Sequence, residues 1–132
     1  HLPEIIAHTG LTRRPIFVPS VGNFPQGMVV SVPLHLNNLK PTPSLADLND
    51  AFEAHYGGET NGKVRFRHTP DANDIYETGR LIVDPAVDDE HLDIWLFGDK
   101  AHNQAVIVAR LDNLGKGAAG AAVQNLELML GA

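Results

Sequence analysis

The sequence predicts an α+β domain built on a mixed, mostly antiparallel sheet that is covered by helices. Segments with the alternating or β-branched pattern of strands outnumber the helical segments, and the two types do not alternate one for one along the chain. A chain of 132 residues with 43% hydrophobic residues is also long enough to bury one ordinary core. We therefore expect one domain of this class.

Two helices are predicted in the first half of the chain. Pro3 and Glu4 suit the first turn of a helix near the start, because no N–H is needed there and a negative charge favours the helix dipole. Ser44 and Asp47 have the spacing of a capping box for a second helix, which we expect to run to about Tyr56 with an apolar face turned inward.

Several strands are predicted between these helices and after them. The clearest strand covers residues 28–36, and its Pro33 predicts an edge strand or a bulge, because proline cannot donate to a neighbouring strand. Its apolar residues share one face: Met28, Val30, Val32, Leu34 and Leu36. The other candidates are residues 15–18, 64–68, 81–83, 92–97 and 104–111, with a loop rich in Pro, Gly and Asn at 19–27.

The composition excludes several classes of function. The net charge is −6 and the ten Lys and Arg residues are scattered singly, so no basic stripe predicts binding to nucleic acid or to an anionic membrane. No apolar run approaches the roughly 18 residues that a membrane-spanning helix needs, so we expect a soluble, cytoplasmic protein. The seven histidines lack a short metal-ligand spacing, and a chain without cysteine carries neither a thiol nucleophile nor a thiolate zinc site. No metal is expected.

A glycine-rich run near the end of the chain has two possible interpretations. Residues 115–120 match the G-x-G-x-x-G pattern of a dinucleotide-binding turn between a strand and a helix. That fold also needs a second parallel strand and an acidic residue about 20 positions further on, and the chain stops at Ala132. We therefore favour a small-residue helix, 117–130, that packs closely against another element. Its remaining surface is also apolar, which predicts that a further domain or subunit covers it.

Three segments together resemble one enzyme family. They are His1-Leu2-Pro3-Glu4-Ile5, the run from Phe17 to Met28 that contains Val21-Gly22-Asn23-Phe24-Pro25-Gln26-Gly27, and the run from Asp112 to Asn125 that contains Asp112-Asn113-Leu114-Gly115-Lys116-Gly117-Ala118-Ala119. The chain is similar to N-acetyl-gamma-glutamyl-phosphate reductase, most closely to its shorter form. The resemblance covers essentially the whole chain and corresponds to the C-terminal portion of that enzyme.

The resemblance implies a two-domain reductase of which this chain is one part. An N-terminal domain binds NADP, and a C-terminal α+β domain like that of glyceraldehyde-3-phosphate dehydrogenase binds substrate and forms subunit contacts. A cysteine thiolate, absent from this chain, attacks the acyl phosphate, and NADPH delivers hydride to the thioester. The resemblance further implies that residues 1–111 belong to the substrate-binding and dimerisation domain of a homo-oligomer. Residues 112–132 are then a C-terminal helix that packs on the missing NADP-binding domain.

The resemblance also implies roles for individual residues. His1 matches the acid–base histidine within a His-x-Pro-Glu pattern, and a neutral imidazole near pH 7 can accept or donate a proton. Glu4 lies on the same helical face, where it either orients this ring or is an ordinary first-turn acid. Asn113 occupies the position at which this dehydrogenase superfamily places an amide against the nicotinamide. A turn or cap residue is the alternative for Asn113.

The loop at residues 22–27 is where the family approaches its substrate. Asn23 and Gln26 are therefore candidates for polar contacts with the substrate, and ordinary turn chemistry is the alternative for both. Longer members of the family tend to have Arg at the position of Gln26, so a charge-paired phosphate contact is not implied there.

Two other functions fit the composition of the chain. A non-catalytic α+β module that binds a small ligand or mediates oligomerisation would have the same residue content. A relative of aspartate-semialdehyde dehydrogenase would share the Asn-Leu and Lys-Gly-Ala-Ala elements of the third segment, whereas the first two segments favour the arginine-pathway reductase.

Overall fold

The computed structural model describes residues 1–57, 63–67, 76–77, 80–81 and 90–131. The helices are α1 (Leu2–Thr9), α2 (Leu45–Tyr56) and α3 (Gly120–Leu130). The strands are β1 (Met28–His35), β2 (Val64–Arg67), β3 (Tyr76–Glu77), β4 (Arg80–Leu81), β5 (Leu92–Asp99) and β6 (Gln104–Leu111). A 3₁₀ turn at Leu36–Asn38 follows β1, and a π-helical turn at Gly115–Ala119 precedes α3.

Four strands form the main sheet in the order β1-β6-β5-β2. β6 is antiparallel to both of its neighbours, whereas β2 is parallel to β5. β3 and β4 form a separate antiparallel pair. The predicted fold class, α+β with a mixed, mostly antiparallel sheet and helices, is therefore confirmed. Within the described sheet β1 is an edge strand, as Pro33 predicted.

One face of the main sheet packs against α2. Its buried residues are Leu36, Phe66, Ile94, Leu96 and Ala105, and the partly buried α2 residues against them are Leu45, Leu48, Phe52 and Tyr56. The α2 helix begins where the sequence predicted, because the Ser44 hydroxyl accepts from the Asp47 N–H at 3.1 Å and the Asp47 carboxylate accepts from the Ser44 N–H at 2.8 Å. These hydrogen bonds from Ser44 lower the pKa of Asp47.

The opposite face of the sheet contains a buried ionic cluster. The Asp93 carboxylate on β5 accepts from Arg65 Nε at 2.8 Å and from Arg67 Nε at 3.1 Å, and Arg110 Nη2 lies 3.4 Å away. The Arg110 guanidinium also stacks over the Trp95 ring, 5.2 Å from its centroid. Burial alone would raise the pKa of Asp93, but the hydrogen bonds and charges of Arg65 and Arg67 outweigh burial and hold this pKa below its ordinary value.

Some sequence predictions need correction. The predicted strand at 15–18 is wrong: this segment is an extended, largely exposed loop, with Ile16 93% exposed, and it pairs with no strand of the described residues. Its Pro-Ile-Phe-Val pattern indicates that the segment is apolar. The pattern does not indicate whether another strand lies beside the segment. β1 ends at His35 rather than at residue 36, and regular α-helix begins at Gly120 rather than at Gly117. Residues 68 and 82–83 of the predicted strands lie outside the described residues.

Large apolar surfaces are exposed on strand β1 and on helix α3. Met28, Val30 and Val32 share a sheet face with the buried Leu36, yet each is about two-fifths exposed. No residue of α3 is buried, and Val123, Leu126, Leu128, Met129 and Leu130 are all more than half exposed. These surfaces fit the expectation that another domain or subunit covers them. Among the described helices, none combines the length and apolar character needed to cross a bilayer.

We predict that Asp93→Asn lowers the free energy of unfolding by about 3 kcal/mol at pH 7, because it leaves buried arginine charge without its carboxylate. A carboxyl group whose pKa is lower in the folded state stabilises the fold above its unfolded pKa of about 3.9, and this contribution disappears as the pH falls through the folded pKa. The difference between wild type and variant should therefore shrink below about pH 4. Urea denaturation of both proteins, from pH 7 to below pH 4, measures this difference in the free energy of unfolding.

Asp50→Asn on the exposed face of α2 is the matched control, and it should change stability by no more than about 0.5 kcal/mol. An Asp93→Asn protein as stable as this control at pH 7 would show that the ionic cluster does not hold the sheet together.

Candidate functional site

The register of β1 against β6 brings the predicted substrate loop to the segment before the terminal helix. Met28 at the start of β1 pairs with Leu111 at the end of β6. The loop that ends at Gly27 and the turn that begins at Asp112 therefore leave the sheet side by side. Two segments that the sequence analysis treated separately, residues 22–27 and Asn113, meet for this reason.

A hydrogen bond joins these two segments. The backbone N–H of Gly27 donates to Oδ1 of Asn113 at 2.7 Å, and Gly27 itself is buried. Gly27 has a φ of 106°, a conformation that side chains with a Cβ rarely adopt, so glycine is required where the loop turns into β1. The carbonyl half of the Asn113 amide is thus engaged within the chain itself.

A cavity of about 510 Å³ lies along this junction. Its described walls are Ser20, Val21, Gly22, Phe24, Pro25, Gln26, Gly27, Met28, Val29 and Asn113. Two of the predicted site residues, Gln26 and Asn113, therefore share one cavity. Asn23 belongs to the same loop but is not among the described wall residues.

Asp112 organises the turn that carries Asn113. Its buried carboxylate accepts from the Leu114 N–H at 2.8 Å, and its backbone carbonyl accepts from the Gly117 N–H at 2.8 Å. The π-helical turn then closes with the Gly120 N–H donating to the Gly115 carbonyl. A Cβ at Gly120 would lie 2.8 Å from that carbonyl oxygen, which is too close for any larger residue.

Gly120, the last glycine of the G-x-G-x-x-G run, is thus explained by the path of the backbone. A dinucleotide-binding turn would follow a strand of a parallel sheet, whereas β6 is antiparallel to both neighbours. This strand pairing does not fit the first interpretation, a dinucleotide-binding turn. Close packing of α3 against another element stays a prediction, because no residue of α3 is buried.

His1 lies at the first turn of α1, beside the extended loop that precedes the cavity. Its ring centroid is 5.6 Å from that of Phe17, with the two rings tilted by 59°. The Glu4 carboxylate lies 3.4 Å from the backbone nitrogen of His1. Both His1 and Glu4 are largely exposed. The described walls of the cavity do not include either residue.

A polar chain holds the terminal helix against the sheet, around a second cavity of about 630 Å³. Lys116 Nζ donates to Gln124 Oε1, and Gln124 Nε2 donates to the Glu90 carbonyl at 3.2 Å. Lys63 Nζ in turn lies 2.6 Å from the Glu90 carboxylate. Gln124 therefore connects α3 to the turn before β5, and Lys116 in the π-helical turn holds the Gln124 side chain.

Metal ligation finds no support in the described part of the chain. No group of three or more His, Cys, Asp or Glu residues there is arranged to hold a metal ion. His102 pairs with Asp99 at 2.7 Å near the β5–β6 turn, and both side chains are more than half exposed.

Three structural residues of the site were missed from sequence. Gly27 could have been found from its position between a Pro-rich loop and a strand, where a positive φ is common. Asp112 could have been found from its spacing to Leu114, which is typical of an Asx turn. No sequence signal indicates the contact between Phe17 and His1, because it depends on how the loop folds back on α1.

Comparison with known proteins gives a consistent assignment. A family profile described as semialdehyde dehydrogenase, dimerisation domain, matches residues 1–113. The chain is also similar to the N-acetyl-gamma-glutamyl-phosphate reductases of Brucella suis, Brucella ovis and Brucella abortus, with 47% identity over 137 aligned positions that cover 99% of this chain.

The aligned part is 41% of the length of each of these relatives, in their C-terminal portion. The resemblance predicted from the three sequence segments is therefore confirmed, and the family match agrees with the predicted fold class. The chain belongs to the semialdehyde dehydrogenase dimerisation-domain family.

Proposed function

We propose that this chain is the substrate-binding and dimerisation part of an arginine-biosynthesis reductase. In this proposal the complete enzyme converts N-acetyl-gamma-glutamyl phosphate to N-acetylglutamate semialdehyde with NADPH, in the cytoplasm. The nucleophilic cysteine and most of the NADP-binding residues belong to the part of the enzyme outside these 132 residues. The similarity to the Brucella reductases supports the reaction, because it extends over 99% of the chain.

The observation that carries the proposal is the cavity between the 22–27 loop and Asn113. The predicted substrate loop supplies Gln26 and Gly27, and the turn after β6 supplies Asn113, the predicted cofactor contact. One cavity is therefore lined by residues predicted to bind each of the two ligands. A hydride-transfer enzyme needs its two ligands in contact at such a junction. Gln26 offers an amide to the substrate, and Asn23 of the same loop is a further candidate.

His1 is proposed to move the proton of the reaction. Its imidazole accepts the proton of the cysteine thiol as the sulfur displaces phosphate from the acyl phosphate. It returns this proton to the thiolate that leaves when the aldehyde is released. The Phe17 ring is the aromatic neighbour of this imidazole. Glu4, whose carboxylate lies near the His1 backbone nitrogen, supports the first turn of α1 and remains a candidate for orienting the ring.

Asn113 is proposed to contact the cofactor. Its Oδ1 is engaged by Gly27, so its Nδ2 group is the atom available to a ligand, and a donor fits the carboxamide oxygen of a nicotinamide. NADPH supplies the hydride when it is bound. The role of this chain is to orient that ligand against the loop that holds the substrate.

The exposed apolar surfaces are proposed to be covered in the complete enzyme. We assign residues 1–111 to the substrate-binding and dimerisation domain and residues 112–132 to a helix that packs on the NADP-binding domain. The exposed Val123, Leu126 and Met129 of α3 support the second contact. The match to a dimerisation-domain family supports a homo-oligomer.

We predict that the full-length polypeptide containing this chain reduces N-acetyl-gamma-glutamyl phosphate with NADPH in strong preference to β-aspartyl phosphate. Oxidation of NADPH with each acyl phosphate, generated in the assay by the corresponding kinase, measures the ratio of kcat/KM values. A preference for β-aspartyl phosphate would assign the chain to the aspartate-semialdehyde branch. Turnover of neither compound would favour a non-catalytic module.

We predict that the 132-residue chain alone does not catalyse this reduction, because it has no thiol to form the thioester. NADPH oxidation by the purified chain is compared with that of the full-length polypeptide at equal molar concentration, and circular dichroism checks that the chain is folded. Turnover by the folded chain above the rate without protein would contradict the proposed cysteine mechanism.

We predict that His1→Ala in the full-length polypeptide lowers kcat by about 10² to 10⁴, the usual effect of losing a general acid or base. His8→Ala is the matched control, because His8 is an exposed histidine at the other end of α1 and should leave kcat nearly unchanged. If the two variants are equally active, His1 has no part in proton transfer.

A further inference from the structure

The orientation of the Asn113 amide is dictated by one backbone group. The Gly27 N–H, 2.7 Å from Oδ1, requires an acceptor, and of the two ends of the amide only the carbonyl oxygen can accept. If the amide were turned over, its NH₂ group would face another N–H and the buried Gly27 donor would lose its partner. The loop therefore determines which end of Asn113 faces away from it.

The amide nitrogen is left for a ligand in the cavity. Asn113 lines this cavity, and within the described residues its Nδ2 donates no hydrogen bond. A ligand group recognised by Asn113 must then be a hydrogen-bond acceptor, such as a carbonyl or phosphoryl oxygen. A ligand that offered only a donor at this position would be rejected.

We propose that Asn113 is a positioning residue that couples the substrate loop to ligand recognition on the other side of the cavity. When Gly27 holds Oδ1, Nδ2 is set to receive an acceptor oxygen; when the loop shifts away, the amide is free to rotate and recognition weakens. By thermodynamic reciprocity, a ligand bound at Nδ2 also favours the loop position in which Gly27 reaches Asn113. A second ligand that binds the loop better in this position therefore binds cooperatively with the ligand at Nδ2.

The identity of the two ligands rests on the proposed function, whereas the geometry of the amide does not. The acceptor oxygen belongs either to the carboxamide of a nicotinamide or to the acyl phosphate substrate. Both present the same chemistry to Nδ2, and separate KM values for NADPH and for substrate distinguish them.

Two variants of Asn113 in the full-length polypeptide distinguish the role of the amide oxygen from the role of the amide nitrogen. Asn113→Asp keeps an acceptor for Gly27 and removes the donor, whereas Asn113→Ala removes both. Asn37→Asp makes the same chemical change on the exposed 3₁₀ turn after β1 and serves as the control. Hydrogen exchange of the Gly27 amide reports the loop contact without any need for catalysis.

We expect Asn113→Asp to retain slow hydrogen exchange at the Gly27 amide. We also expect it to raise the KM of one ligand by about fivefold or more, while the KM of the other ligand stays within about twofold of the wild-type value. The KM that rises identifies the ligand whose oxygen Asn113 binds. Asn113→Ala should lose the protection of Gly27 and raise both KM values. The series is repeated at high salt, because salt screens repulsion by the new aspartate but does not replace a lost donor.

Four results would overturn the inference. They are fast Gly27 exchange in Asn113→Asp, unchanged exchange in Asn113→Ala, equal rises of both KM values in Asn113→Asp, and a KM effect that disappears at high salt. If the wild-type enzyme reduces no acyl phosphate, the proposed function fails and the coupling of ligands fails with it. The exchange measurements then still decide whether Gly27 holds Asn113.

Discussion

The antiparallel pairing of β1 with β6 is the constraint on which the rest of the site depends. Met28 lies opposite Leu111, so the loop before β1 and the turn after β6 start from the same end of the sheet. A shift of this register by one residue would turn Leu34 away from the core and move Gly27 by about 3.4 Å relative to Asn113. The core contacts and the hydrogen bond between Gly27 and Asn113 therefore require the same register.

The two faces of the sheet contribute to this register in different ways. Against α2 the contacts are apolar, and they fix which side chains of each strand face the core. On the opposite face, Asp93 of β5 is held by arginines from β2 and from β6. Hydrogen bonds between guanidinium and carboxylate groups are directional, so the ionic cluster specifies both which strands flank β5 and how they are aligned.

Features with local causes could be predicted from the sequence, and those with distant causes could not. The capping box at Ser44 and Asp47 lies within one helical turn, and the bounds of β6 follow from a continuous apolar run. The hydrogen bond between Gly27 and Asn113 joins residues 86 positions apart, so only the folded register brings it about. Asn23 and Gln26 were equal candidates in sequence, yet of the two only Gln26 is among the described wall residues of the cavity. The segment at 15–18 has the composition of a strand, but among the described residues no strand lies beside it to pair with.

The π-helical turn at Gly115–Ala119 sets the rotational phase of the helix that follows it. Such a turn holds one residue more than an α-helical turn, so residues after Gly120 are rotated by about 100° from where an uninterrupted α-helix would place them. The direction in which Val123 and Leu126 present their side chains is thus set upstream of the helix that carries them. An α-helical path through the same five residues would redirect the entire apolar surface of α3 without changing any residue within it.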